Sequence, residues 1–112
     1  MSKRNYNLYL QDILESIKKV RGYTDGLDFR GFQQNIMAVD AVTRNLEIIG
    51  EAVARLPKDL KKKHPEIPWG QMRDMRNKVI HEYFGVDLKI LWETVKTDLP
   101  QLEKQLKDVK PL

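Results

Sequence analysis

Apolar residues recur every three or four positions along most of this chain, which is the spacing of amphipathic helices. The pattern predicts a first helix from Tyr6 to Arg21 that stops at Gly22. It also predicts a long second helix from Asp28 to Leu56 at the centre of the core. No stretch has the alternating apolar and polar residues of a half-buried strand. The hydrophobic pattern therefore predicts an all-α protein.

Three prolines divide the segment that follows, at Pro57, Pro65 and Pro68. Proline has no backbone N–H and clashes inside a helix, so this segment has room for at most one short helix, near Lys58–Lys63. Pro68 suits the first turn of the next helix, which the sequence predicts over residues 68–84. We call this predicted element the motif helix.

The last helix is predicted to begin after an N-cap at Asp87, with Val86 and Leu91 placed as a hydrophobic staple. Its apolar residues stay in phase beyond Pro100, so we expect the proline to kink this helix without ending it. The predicted fold is an antiparallel bundle of four to five helices that forms a single domain over residues 1–112.

Composition limits the classes of function. The chain has 112 residues, of which 41% are hydrophobic and 32% charged, as in an ordinary folded helical domain. It contains no cysteine, which excludes disulfides and thiolate metal sites. The N-terminal region has no uninterrupted apolar run typical of a signal peptide or a membrane span. We therefore expect a cytoplasmic protein with no membrane partner.

The net charge of +4 is concentrated in one quarter of the sequence. Residues 57–81 hold seven Lys/Arg and three acidic residues, whereas the rest of the chain holds 13 of each. An anionic partner is one interpretation of this segment. The other is that the lysine run at residues 61–63 is only a solvated helix face.

Arg76 interrupts the apolar stripe of the motif helix. On a helical wheel of about 100° per residue, five apolar or aromatic residues lie within about 60° of it: Trp69, Met72, Val79, Ile80 and Tyr83. Burying an unpaired guanidinium costs several kcal/mol. Arg76 therefore requires a carboxylate such as Glu47 or Glu51, a hydrated interface cleft, or an anionic ligand.

Arg76, Asn77, His81 and Tyr83 form a candidate catalytic group. A guanidinium binds phosphate oxygens bidentately, and an imidazole exchanges protons near neutral pH. With an amide and a phenol, this set suits phosphodiester cleavage. The alternative is that His81 only interacts with the negative end of the helix dipole. No His, Asp or Glu group has metal-ligand spacing, so the predicted chemistry uses no metal and no cofactor.

Other conspicuous residues are interpreted as structural. His64 lies in a predicted loop and is expected to be exposed. Trp69 and Trp92 are expected to anchor the core or a dimer, and Met72 and Met75 to pack.

The segment Arg76–Tyr83 resembles the R-x4-H-x-Y motif of HEPN-domain proteins, specifically the HepT-like toxins of bacterial and archaeal HepT/MntA pairs. Residues 45–52, 65–69 and 83–87 also resemble that family. The resemblance extends over residues 6–106, and four similar segments in the same order are far more specific than the motif alone.

The resemblance implies a HEPN-like bundle that forms a homodimer through the motif helix, with a composite RNA-cleaving site between the two chains. It implies catalytic roles for Arg76 and His81, and orientation of the substrate by Asn77. Arg73 and Lys78 become candidates for contacts to the RNA backbone. The expected activity is that of a metal-independent endoribonuclease toxin.

The resemblance also implies that a nucleotidyltransferase antitoxin of the MntA type transfers AMP to Tyr83 and inhibits the toxin. A plain packing role for Tyr83 is the alternative. For the whole protein, the alternative is a catalytically silent helical module that binds a nucleotide or this partner. A generic nucleic-acid-binding bundle would leave His81 and Tyr83 without a role.

Overall fold

A computed structural model describes residues 6–75 and 88–109, and in these two ranges every regular element is a helix. The all-α class is therefore confirmed. A π-helical turn at Thr94–Asp98 joins the last two helices. The helices are α1 (Tyr6–Thr24), α2 (Phe29–Gln34), α3 (Ile36–Ala54), α4 (Lys58–Lys63), α5 (residues 69–75), α6 (Leu88–Glu93) and α7 (Leu99–Lys107).

Two long helices, α1 and α3, pack together and form the centre of the core. Each buried aliphatic side chain contributes about 1.5–3 kcal/mol relative to an exposed one. The side chains that α1 and α3 bury most completely recur at helical spacing: Ile13, Ile17, Val20, Val42, Leu46, Ile49 and Val53.

The end of α1 differs from the prediction. The helix continues past Gly22 to Thr24, whose hydroxyl donates to the carbonyl of Val20 at 2.9 Å. Among the described residues, Gly26 has the positive φ, 75°, of the left-handed conformation. A glycine inside a helix lowers its stability but does not end it, and the left-handed turn lies four residues later.

The predicted long helix from Asp28 to Leu56 is in fact two helices. Asp28 caps α2 by accepting a hydrogen bond from the Gly31 N–H, and Asn35 caps α3 by accepting one from Ala38. Asn35 itself has a non-helical backbone conformation (φ −102°, ψ 88°). Ile36, which keeps the helical spacing of the apolar residues Phe32 and Val39, is 74% exposed at the start of α3.

The break at Asn35 allows α2 to pack against α6 as well as α3. Phe32 is fully buried, with its ring centroid 5.2 Å from that of Trp92. Phe29 lies 6.4 Å from the same indole ring, and the Lys96 ammonium is 4.7 Å from its centroid. Trp92 therefore packs at the edge of the core, which agrees with the first of its two predicted roles, that of a core anchor.

The C-terminal helical run continues through Pro100 to Lys107, as predicted. The N–H of Leu99 donates to the carbonyl of Thr94, five residues earlier, so the run is π-helical just before the proline. The expected cap and staple at Asp87 and Val86 lie outside the described residues. No helix in the described ranges has the length and apolar character needed to cross a membrane.

Candidate functional site

Five of the six predicted site residues lie outside the part of the chain that the structure describes: Arg76, Asn77, Lys78, His81 and Tyr83. Their predicted roles, and the alternative pairing of Arg76 with Glu47 or Glu51, remain predictions. Arg73 is described, together with the elements that lead to the motif. The structure therefore describes the part of the chain that immediately precedes the predicted catalytic residues.

Helix α5 is fixed to the core through two methionines. Met72 is completely buried and Met75 is 7% exposed, which confirms their predicted packing role. Arg73, between them, is exposed. Met72 precedes Arg76 by four residues, so the apolar stripe faces the interior one turn before the predicted catalytic arginine.

Trp69 connects the start of α5 to the end of α4. Its indole N–H donates to the carbonyl of Lys61 at 3.1 Å and to the carbonyl of His64 at 2.9 Å. The Lys61 carbonyl also accepts from the His64 N–H and the His64 carbonyl from the Ile67 N–H, so the indole is a second donor to each. Trp69 is partly buried against the core and sets the position of α4 beside α5.

His64 lies in the loop after α4, as predicted, but it is not exposed as expected. Its side chain is only 21% exposed, and its Nδ1 is 3.2 Å from a carboxylate oxygen of Glu66. The backbone carbonyl of Glu66 accepts a hydrogen bond of 3.2 Å from the Gln105 amide. These contacts fix the loop between α4 and α5 against α7.

Five cations from α4 and α5 form what we call the basic surface: Lys58, Lys61, Lys62, Lys63 and Arg73. Within the described residues, none of the four lysines forms an ion pair with a carboxylate. Arg73 has a carboxylate neighbour, because its Nε lies 3.4 Å from Asp74. Most of the positive charge on this surface is therefore uncompensated.

The electrostatics of Lys61 indicate that three of these cations, Lys58, Lys61 and Arg73, are close in space. Burial lowers the pKa of the Lys61 ammonium below its usual value, and the positive charges of Arg73 and Lys58 lower it further. Lys61 and Arg73 are separated by twelve positions in the sequence. Their proximity is a consequence of how α4 packs beside α5.

A groove of about 560 Å³ lies between α5 and the C-terminal helical run. We call it the acidic groove because three carboxylates line it, from Glu66, Asp74 and Asp98. Other lining residues are apolar or carry amides or a hydroxyl: Pro68, Gln71, Met72, Met75, Thr94, Gln101, Leu102 and Gln105. The sequence does not predict this groove, because its acidic residues are dispersed along the chain and form no local motif.

The arrangement of potential metal ligands is described for residues 6–75 and 88–109. No group of three or more His, Asp or Glu side chains is placed there to hold a metal ion. On α3, Arg44 and Glu47 approach only to 3.9 Å, and the Arg44 side chain is exposed, so this ion pair contributes little to stability.

A family model and individual relatives all relate this chain to proteins that are described as ribonucleases. The model of the family described as "Ribonuclease HepT-like" matches residues 13–109. A Thermococcus cleftensis protein named "Probable ribonuclease HepT" is 45% identical over 108 residues, covering 96% of this chain and 98% of that relative. No solved structure matches the chain.

Two further relatives carry RNase names. One, from Caldanaerobacter subterraneus subsp. tengcongensis, is 44% identical over 101 residues and covers 90% of each chain. Another, from Methanocaldococcus jannaschii, is 44% identical over 109 residues, covering 97% of this chain and 100% of the relative.

Proposed function

This chain belongs to the ribonuclease HepT-like family, and from that premise we propose that it is a toxin-like endoribonuclease that cleaves RNA without a metal ion. The observation that carries the proposal is the segment Arg76–Tyr83, which lies within the matched range and contains the polar groups that phosphodiester cleavage requires.

The proposed reaction is an internal transfer at phosphorus. His81 accepts the proton of an RNA 2′-hydroxyl, whose oxygen then forms a bond to the adjacent phosphorus. The bond from phosphorus to the 5′-oxygen breaks, and that oxygen takes a proton. The products are a 2′,3′-cyclic phosphate and a free 5′-hydroxyl. Arg76 stabilises the charge that develops on the phosphate oxygens, and Asn77 orients the substrate.

We further propose that two copies of the chain complete the site. One chain contributes a single His81, whereas a homodimer supplies two imidazoles that separate the roles of acid and base. A polar cleft between the subunits would also accommodate Arg76.

The decisive experiment compares the two histidines of the chain. Protein treated with chelator should cleave RNA, and His81→Ala should lose about 10²–10⁴-fold of that rate. His64→Ala is the matched control and should retain activity, since the His64 side chain contacts the loop residue Glu66 and its backbone hydrogen bonds do not depend on the imidazole. Size-exclusion chromatography with light scattering should show that the wild type and both variants are folded dimers.

Three results would contradict this mechanism. Cleavage that requires an added divalent ion would exclude the metal-independent reaction, and activity in His81→Ala would exclude His81 as a proton carrier. A wild-type protein without RNase activity would favour the alternative, a silent module that binds a nucleotide or a nucleotidyltransferase.

The proposed regulation is transfer of AMP from ATP to the Tyr83 hydroxyl, with release of pyrophosphate, by an MntA-type nucleotidyltransferase partner. An added phosphate group would occupy the space near Arg76 where the RNA phosphate must bind. Mass spectrometry after incubation with the partner and ATP should locate one AMP on Tyr83. Tyr83→Phe should abolish the adduct, whereas Tyr23→Phe, at an exposed tyrosine of α1, should not. An adduct on any other residue would contradict this assignment.

A further inference from the structure

The basic surface is assembled from two helices rather than from one run of lysines. Trp69 holds α4 beside α5 through its two hydrogen bonds to carbonyls at and after the end of α4. This contact brings Arg73 close enough to Lys61 to lower its pKa. The surface is therefore a product of the fold, with a fixed position relative to α5.

Its charge works against the fold. Lysines in the last turn of α4 interact favourably with the helix dipole, but that effect is small and is confined to the final turn. Lys58 is in the first turn, where a positive charge is unfavourable, and Lys61 is partly desolvated beside two other cations. Folding alone gives no reason to gather Lys58, Lys61 and Arg73 in one place.

The chemistry of the surface fits a polyanion. Lysines 58, 62 and 63 are exposed and have no carboxylate partners in the described part of the chain. Protein interfaces depend on buried aromatic or aliphatic anchors, and here the nearby Trp69 uses its N–H internally. Phosphate groups, by contrast, are bound by clustered Lys and Arg without apolar contact.

The position next to Arg73 on α5 indicates a direction. Asp74 lines the acidic groove with Glu66 and Asp98, so a polyanion is repelled from that side. Arg73 is three residues before Arg76 in the sequence. An anionic strand held on the basic surface is thus led along the α4 side of α5 toward the predicted catalytic segment.

We propose that the basic surface binds the phosphate backbone of single-stranded RNA outside the cleaved bond and thereby extends the substrate-binding region to α4. The proposal rests on the proposed ribonuclease function. Because lysine contacts to phosphate carry no base information, the contribution is to affinity and orientation rather than to sequence choice.

The test measures binding of a fluorescein-labelled, single-stranded 2′-O-methyl RNA, which cannot be cleaved through a 2′-hydroxyl. Lys58→Gln/Lys61→Gln in the full chain should weaken binding by on the order of tenfold at about 0.1 M salt. The plot of log affinity against log salt has a negative slope, and its magnitude should decrease by about 1.4, which is about 0.7 for each lost phosphate contact.

The matched control is Lys18→Gln/Lys19→Gln, which removes the same charge from exposed lysines of α1. Its salt slope should equal that of the wild type. Lys58→Arg/Lys61→Arg should keep both affinity and slope. If Lys58→Gln/Lys61→Gln fails to fold, Lys58→Gln/Lys62→Gln, at two exposed positions, replaces it with the same expected result.

Equal affinities for the α4 and α1 variants would overturn the proposal, whether both are unchanged or both are weakened by net charge alone. So would an α4 variant that binds RNA normally but no longer binds the nucleotidyltransferase. Absence of RNA cleavage by the wild type would instead refute the proposed function, because the binding assay does not depend on cleavage.

Discussion

The two sides of helix α5 carry opposite charge. Arg73 belongs to the basic surface beside α4, whereas its neighbour Asp74 lines the acidic groove beside the C-terminal helical run. Successive residues on a helix point about 100° apart, so two adjacent side chains can serve two different surfaces. The net charge of +4 conceals this separation, which only the packing of α4 and α7 around α5 creates.

Different contacts hold the two sides of α5 in place. On the basic side, the contact between α4 and α5 is a bifurcated hydrogen bond from Trp69. On the acidic side, the Gln105 amide donates to the carbonyl of Glu66 and the buried Met72 lines the groove wall. Each side therefore has its own attachment and can be weakened separately.

The largest expected effect comes from detaching the basic side. Trp69→Phe keeps an aromatic ring but removes the indole donor shared by the carbonyls of Lys61 and His64. Each carbonyl keeps a backbone donor, so the free energy of unfolding should fall by about 0.5–1.5 kcal/mol. RNA affinity should fall as α4 moves away from Arg73. Urea unfolding and RNA titration measure the two effects.

Trp92→Phe provides the control for that variant. Trp92 packs on Phe32, away from the basic surface, so its replacement should lower stability without changing RNA affinity. Equal losses of RNA affinity in the two tryptophan variants would show that Trp69 has no specific role in placing the cations.

A smaller effect is expected from neutralising the acidic side. Asp74→Asn/Asp98→Asn removes two negative charges from the groove and releases Arg73 from its contact at 3.4 Å. RNA affinity should rise several-fold at low salt and the gain should vanish at about 1 M salt, where charges are screened within about 3 Å. Binding isotherms at a series of salt concentrations test this.

Glu15→Gln/Asp25→Asn is the charge-matched control at exposed positions of α1 and the turn after it. An equal gain in affinity for this control would mean that only net charge matters and that the two sides of α5 are not functionally distinct.

The smallest effect concerns Lys61. Its pKa is lowered in the folded state by burial and by Arg73 and Lys58, so its charged form destabilises the fold at neutral pH. This penalty disappears as the pH rises through the folded pKa toward the usual value of 10.5. Lys61→Gln should therefore raise stability at pH 7 by up to about 0.5 kcal/mol.

Urea unfolding of wild type and Lys61→Gln at pH 7 and pH 10 measures this difference, which should shrink at the higher pH. Lys18→Gln, at an exposed position of α1, serves as the control and should change stability less at either pH. A stability loss in Lys61→Gln at pH 7 would show that the charge supports the fold instead of burdening it.

Some elements followed directly from local sequence. Helix α4 was predicted at its observed bounds, because the flanking prolines restrict where a helix can form. The break at Asn35 was missed, since Phe32, Ile36 and Val39 keep helical spacing across it. The available signal was Asn35, whose side chain caps α3. The helical spacing of the apolar residues nevertheless favoured one continuous helix.

The candidate site, too, was only partly predictable from local sequence. The cations of residues 57–81 were identified from composition, and Arg73 was predicted to contact RNA. The acidic groove was not predicted, because Glu66, Asp74 and Asp98 come from three separate parts of the chain. Arg76, Asn77, Lys78, His81 and Tyr83 keep the roles that the sequence predicts for them.

The sequence by itself determined the helical class, the family and the residue types of the predicted catalytic segment, because helical periodicity and motif spacing are local properties. The tertiary structure decided that Lys61 and Arg73 lie close enough to interact and that Asp74 and Asp98 line the same groove. Such pairings depend on how separate helices pack, and here the indole of Trp69 and the buried side chain of Met72 fix that packing.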